Sequence, residues 1–227
     1  MKKIAFIGGY DKSDLILYIA KILAVAGKKV IYVDTTLMQK TRYIVPTMTP
    51  AQKYVTTYDG IDIAIGFETM QDLKNYFSTE EDLKYDFFLG DFDAPSPYVN
   101  MGFRSVDLHY FVTSFDVFSL QRGANVLKAF KEPTTVTKVL FTTNPESEEK
   151  EYLDFVSMSY KVKWNEDIIF FPFDTSDLYA IYENQRFSKV KFGNLSMGYI
   201  DSMTWMAEQI SGLPKGTIRK AIKIIGR

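Results

Sequence analysis

The sequence contains no cysteine and a single histidine, His109. The first absence removes disulfide frameworks, thiolate nucleophiles and zinc-thiolate sites; the second leaves no histidine-rich metal centre. Long apolar runs are missing too. The most apolar stretch near the start, residues 15–26, is interrupted by Lys21 and is too short to span a bilayer. The few apolar residues that follow Lys2-Lys3 do not make a secretory leader, so a cytoplasmic protein is expected, with peripheral membrane contact left open. Nor does charge of one sign dominate. Lys plus Arg number 27 against 28 Asp plus Glu, a formal net charge of -1, which argues against a whole-surface polyanion binder and leaves room for a local basic site. Aromatic rings, by contrast, are plentiful: 18 Phe, 15 Tyr and 2 Trp make up 15% of 227 residues.

The apolar pattern reads as alternating strands and helices. Ile4-Ala5-Phe6-Ile7 is a short run closed by Gly8-Gly9, the signature of a strand buried on both faces. Apolar residues then recur at three and four from Leu15 to Ala26, an amphipathic helix stopped by Gly27. Val30 to Val33 follows as a second buried strand ended by Asp34, completing a βαβ unit. Further strands are expected at 61–65, 87–91, 110–113, 138–141 and 168–171, and helices at 69–77, 115–130, 146–158 and 201–210. Such alternation predicts one α/β domain over residues 1–213, a mainly parallel central sheet with helices on both faces.

In open sheets of this kind ligands sit beyond the C-terminal ends of the strands. The segments there are residues 8–13, 34–36, 91–93, 142–144 and 172–174. The first joins a strand to a helix N-terminus, where free backbone N–H groups favour an anion, and Lys12-Ser13 is the pair a phosphate loop uses. Asp91 ends a buried strand, as a magnesium-side carboxylate does in such proteins. The pattern G-x-x-x-x-G-K-[ST] is incomplete, because Phe6 and Asp11 stand at its two glycine positions. Gly8-Gly9 also reads simply as a tight strand-to-helix turn.

Five segments in this order resemble the ParA/MinD family of deviant P-loop ATPases. Residues 7–13, Ile-Gly-Gly-Tyr-Asp-Lys-Ser, are similar to the family's K-G-G-x-G-K-[ST], and residues 30–36 to the strand and D-x-D of its second motif. Residues 85–91 resemble its Walker B strand, Asn144 stands where it has a base-contacting Asn, and residues 171–174 resemble its late I-P-x-D segment. The resemblance implies a P-loop NTPase-type fold and ATP with Mg2+ as cofactors. It implies Gly8, Gly9, Tyr10, Asp11, Lys12, Ser13, Asn144, Pro172 and Asp174 around the nucleotide, and Ser13, Asp34 and Asp91 around the metal. It further implies a homodimer that positions a cargo, with TadZ-like proteins as the nearest analogy.

Three departures bear on activity. Ile7 replaces the signature Lys that reaches the partner's phosphates, Asp11 a Gly that the phosphate approaches closely, and Thr36 the water-positioning second Asp. The expectation is an atypical scaffold with weak or no hydrolysis and no catalytic residues, localising a pilus, secretion or conjugation apparatus at the membrane. The alternative is an active partition ATPase that binds ATP and DNA. Among the aromatic residues, Tyr10, Phe92, Tyr98 and Phe173 fall at or after strand ends, where the family holds nucleotide or partner.

Residues 214–227 are distinct: Lys215, Arg219, Lys220, Lys223 and Arg227 occur without an acid. On a helical wheel Ile218, Ile222 and Ile225 share one face, opposite Arg219, Lys220 and Lys223, which makes a basic amphipathic helix. Three uses are open: a membrane surface, docking of the isoleucines on the protein's own core, or a nucleic acid, the last being the least favoured.

Overall fold

A computed structural model describes residues 1–47, 52–143 and 149–226. Its centre is an eight-stranded sheet in the order β3-β4-β2-β5-β1-β6-β7-β8. The strands are β1 (Lys2–Ile7), β2 (Val30–Asp34), β3 (Tyr54–Tyr58), β4 (Ile61–Ile65), β5 (Phe87–Phe92), β6 (Leu108–Ser114), β7 (Thr134–Thr142) and β8 (Val162–Pro172). All neighbours run parallel except the β3–β4 pair at one edge. The mainly parallel α/β sheet expected from the sequence is therefore the sheet observed.

Topology explains where a cleft must form. From β1 the chain passes through α1 (Ser13–Val25) to β2 on one side, leaving a place that β5 later fills; from β5 it passes through α4 (Pro95–Asn100) to β6 on the other side. Crossovers of one hand that run in opposite directions put their helices on opposite faces of the sheet. Accordingly α1 packs into one core with α7 (Thr175–Arg186), α8 (Met197–Ser211) and α9 (Lys215–Ile225). The other core takes α3 (Met70–Tyr76), α4, α5 (Val117–Leu127) and α6 (Glu149–Ser157). Where the two directions part, at the C-terminal ends of β1, β2 and β5, the sheet leaves an opening.

The inner strands β1, β2 and β5 are buried on both faces, which accounts for their unbroken apolar runs. Rings such as Phe6, Tyr32, Phe88 and Tyr110 are fully buried, so most of the aromatic excess serves the core. The sequence reading omits β3, α2 (Thr41–Ile44), α4 and α7. Each is short or, like Thr-Ser-Asp-Leu-Tyr-Ala-Ile-Tyr-Glu-Asn-Gln-Arg in α7, too polar to show a clear periodicity.

The C-terminal helix narrows the uses left open for it. Gly212 ends α8 in a left-handed conformation (φ 68°), and Leu213-Pro214 turns the chain back so that α9 lies against α1 and α8. Ile218, Ile222 and Ile225 are buried in the main core, so of the three uses left open these isoleucines serve docking on the protein's own core and not a membrane surface. Arg219, Lys220 and Lys223 stay exposed on its outer side. Among the described residues no helix is long and apolar enough to cross a membrane.

His109 is buried. Its Nε2 is 2.8 Å from the Tyr98 hydroxyl, which ties β6 to α4. Burial holds its pKa down at about 4, although a hydrogen bond to the Phe103 backbone pulls the other way.

Two outcomes follow from these placements. Ile218→Ala is expected to cost about 2–5 kcal/mol in urea unfolding, because it opens a cavity in the core, whereas exposed Ile224→Ala stays within about 0.5 kcal/mol; equal effects would contradict the docking. Because His109 is kept neutral in the fold but protonates in the unfolded chain, its contribution is intact above pH 6.5 and is lost as the pH falls toward 4. This amounts to up to about 3 kcal/mol. Urea melts of His109→Gln are therefore expected to show a shallower loss between pH 6.5 and 4.5 than those of the parent chain.

Candidate functional site at the strand C-termini

A cleft of about 310 Å³ opens beyond β1, β2 and β5, and its lining includes Gly8 to Ser13 together with Thr36, Lys40, Tyr43, Asp91 and Asp93. A smaller cleft of about 160 Å³ shares Tyr10, Asp11 and Lys40 with it and continues past Phe141, Pro172, Phe173 and Asp174 toward α7. Most of the residues singled out in the sequence thus come together at one place, although Asn144 lies outside the described residues.

The glycine pair has a packing reason. Gly8 has φ +150°, and a Cβ there would lie 2.0 Å from the Val112 carbonyl oxygen of β6; a Cβ on Gly9 would meet Ser119 and Arg122 of α5 at 2.8–2.9 Å. Both glycines let the β1–α1 loop press against its neighbours, which is the tight-turn reading.

Lys12 points inward. Its ammonium is 2.6 Å from Asp91 Oδ1 and donates to the Gly8 carbonyl at 2.9 Å, and the Lys12 and Asp91 side chains are each 1% exposed. The other Asp91 oxygen accepts from the Tyr32 hydroxyl at 3.0 Å, and that hydroxyl accepts from Thr41 at 3.1 Å. Burial pushes the Asp91 carboxyl up to about 7, with Asp34 adding to the rise, against the pull of Lys12 and Tyr32. Asp34 is fully buried and works as a local organiser: Oδ1 accepts from the Thr36 amide (3.0 Å) and hydroxyl (2.6 Å), and Oδ2 from the Thr41 amide (3.2 Å). Thr36, which stands at the water-positioning place of the family motif, is thus turned back to fold the β2–α2 loop.

Asp11 caps α1. Its Oδ1 accepts from the Ser13 amide at 3.1 Å and the Ser13 hydroxyl at 2.9 Å, while Oδ2 pairs with the Lys40 ammonium. Lys40 also lies 3.5 Å from Asp14, which accepts from the Gln185 side chain of α7. Burial raises the Asp11 carboxyl, but Lys40 and the two Ser13 donors outweigh it and hold the group below the usual carboxylate range. Asp14, more deeply set, is raised by burial despite Lys40 and Gln185. Lys40 itself is held above the ordinary lysine value: burial lowers it, and the two carboxylates raise it by more.

At the far wall Asp93 accepts from the Leu37 amide at 3.2 Å and is gripped by Arg122 at 2.9 and 3.0 Å, joining the β2–α2 loop to α5. Asp174 caps α7 through the Ser176 amide and hydroxyl, both at 2.7 Å. Tyr10 packs on Phe141 with centroids 4.7 Å apart and meets Phe173 edge-on at 6.3 Å, so these rings do line the cleft. Phe92 and Tyr98 do not: both are fully buried and pack on each other, members of the core rather than of a binding surface. Among the described residues no group of three or more His, Asp and Glu is arranged to hold a metal.

Lys40, Arg122, Tyr43 and Gln185 went unmarked in the sequence. None belongs to a motif, and Gln185 reaches Asp14 across 171 residues of chain, a proximity that only the fold creates.

No family model matches the chain, and no curated protein matches it. Solved structures do. The ParA family ATPase of Chlorobium tepidum TLS superposes with a TM-score of 0.54 at 14% identity, covering 97% of each chain. The septum site-determining protein MinD of Pyrococcus horikoshii OT3, complexed with Mg-ADP, gives 0.56 at 17% identity over 92% of this chain and 96% of that one. A chain of the MinC:MinD cell division protein complex of Aquifex aeolicus gives 0.50 at 14% identity over 100% of this chain and 96% of that one. The shared fold is that of the ParA/MinD ATPases, as the five sequence segments implied.

Removing one partner of a buried ion pair strands the other charge. Because Lys12 pulls the Asp91 carboxyl down, Lys12→Met is expected to destabilise the chain more at pH well above 7, where Asp91 must ionise, by up to about 3–5 kcal/mol, and Lys12→Met with Asp91→Asn by clearly less. Equal losses in denaturant titrations would mean that the pair is not coupled.

Proposed function

We propose that this chain, with its ParA/MinD-type fold, is an atypical spatial-positioning or scaffold protein with weak or no ATP hydrolysis. The observation that carries the reading is that the groups a phosphate loop offers to Mg-ATP are engaged with one another. Lys12 is paired with Asp91, the Ser13 amide and hydroxyl with Asp11, Asp34 with Thr36 and Thr41, and Asp91 also with Tyr32. As placed, these side chains do not fit a magnesium triphosphate: the cation needs open carboxylate and hydroxyl oxygens, and the phosphates need open donors.

Phosphoryl transfer depends almost wholly on positioning and charge stabilisation. With Ile7 where a cation is wanted and Thr36 folded back on Asp34, neither the developing charge nor an attacking water has a positioned partner. What the cleft offers instead is recognition. Exposed Met38, Tyr43, Phe173 and Tyr182 line it and its continuation, and apolar groups of this size gathered at one end suit a protein partner. The proposal includes a homodimer and a protein partner from a positioned pilus, secretion or conjugation machine. It also places the protein in the cytoplasm, peripheral at the inner face of the membrane. Contact with an anionic surface would then fall to Arg219, Lys220 and Lys223, because the isoleucines of α9 are buried.

The second reading, a partition ATPase that binds ATP and DNA, draws on Lys12, Ser13, Asp34 and Asp91 standing close together at the strand ends. Purified protein with Mg-ATP separates the two. Phosphate release is expected to stay at the no-protein background, and turnover like that of an intact P-loop ATPase would sink the scaffold reading.

A further inference from the structure

Loss of turnover does not by itself require a loop closed to phosphate, since a chain can lose the water-positioning group and still bind nucleotide. Asp11 closes it. Around its two oxygens stand a first-turn amide and a hydroxyl, both from Ser13, and the Lys40 ammonium. An amide, a hydroxyl and an ammonium converging at a strand-to-helix turn are the donors that a phosphate oxygen takes there. In this chain a tethered carboxylate has taken them, and a tethered group competes at an effective concentration of roughly millimolar or more.

An incoming phosphate would have to displace that carboxylate and then lie beside its charge, with Asp14 sharing Lys40 and Asp93 lining the same cleft. The backbone does not dictate this arrangement. Asp11 is not among the residues with positive φ, so its side chain, not the course of the loop, sets the exclusion.

We propose that Asp11 is an internal anion filling the phosphate corner of the cleft, and that Lys40 is the cation that holds a phosphate there once the carboxylate is gone. The inference rests on the scaffold reading and deepens it: one side chain makes the cleft refuse phosphorylated ligands and keeps it for a partner that carries none.

Calorimetric titration of the 227-residue chain with Mg-ADP and with pyrophosphate tests this. The parent protein is expected to give no saturable binding in the millimolar range. Asp11→Gly is expected to bind Mg-ADP at least about tenfold more tightly, with Asp11→Asn between the two. Lys40→Ala added to Asp11→Gly is expected to erase the gain. Since Asp11→Gly also removes the acceptor of the Ser13 amide and hydroxyl at the start of α1, Asp11→Asn, which keeps an acceptor of the same size, tests removal of the charge in a chain that folds. Two results overturn the inference: a parent chain that binds Mg-ADP as tightly as Asp11→Gly, or folded Asp11→Asn and Asp11→Gly that both bind no better than the parent. Tight parental binding without turnover overturns this inference and the misfit to magnesium triphosphate but leaves weak or no hydrolysis standing, whereas turnover removes the function reading itself.

Discussion

The pairing of Lys12 with Asp91 is the interaction on which the rest of the cleft depends. It joins the loop after β1 to the end of β5, two neighbouring central strands, inside a region closed to water. A buried pair of this kind adds little net stability against a well-packed apolar alternative, since both charges lose their hydration. What it fixes is arrangement. With Lys12 drawn inward, the loop it starts from is held down, Tyr32 is oriented by the same carboxylate, and Thr41 is oriented by Tyr32. Asp34 then ties α2 into the same network through the Thr41 amide. A single inward turn of one lysine therefore propagates along the whole floor of the cleft.

Against that floor the rim is apolar and aromatic. Tyr10, Phe141 and Phe173 form a small cluster of tilted and edge-on rings on one side, while Tyr43 and Met38 stand exposed on the other. Rings supply contact area with few torsions to freeze, which is why they serve recognition well. The missing cysteine and scarce histidine are consistent with this division of labour: the cleft is built from carboxylates, two lysines, an arginine and rings.

Much of the architecture was legible because buried parallel strands leave a plain mark. Ile4 to Ile7, Val30 to Val33 and Phe87 to Leu89 are apolar without interruption, and the period of α1 is clean. β3 and α7 were illegible for the complementary reason: an edge strand and a half-exposed helix need no strong pattern to hold their places. At the site, the positions of Lys12, Ser13, Asp34 and Asp91 followed from their places at strand ends. Their bonding did not, because Ser13 could face a ligand or Asp11 with the same sequence spacing. The isoleucines of α9 show a further limit. An amphipathic period reveals that a helix has an apolar face and says nothing of what that face meets, and here the answer lay in α1 and α8.

Docking of α9 changes the nature of its charges. A free basic tail meets an anionic surface as a mobile chain and must give up conformational freedom on contact. Arg219, Lys220 and Lys223 instead ride on a helix bolted to the core, within about 6 Å of axial rise. Their spacing is set before any encounter. Whatever approaches that side of the molecule meets three basic side chains rooted at fixed points of an ordered helix, with Arg219 already 3.6 Å from Asp201 of α8.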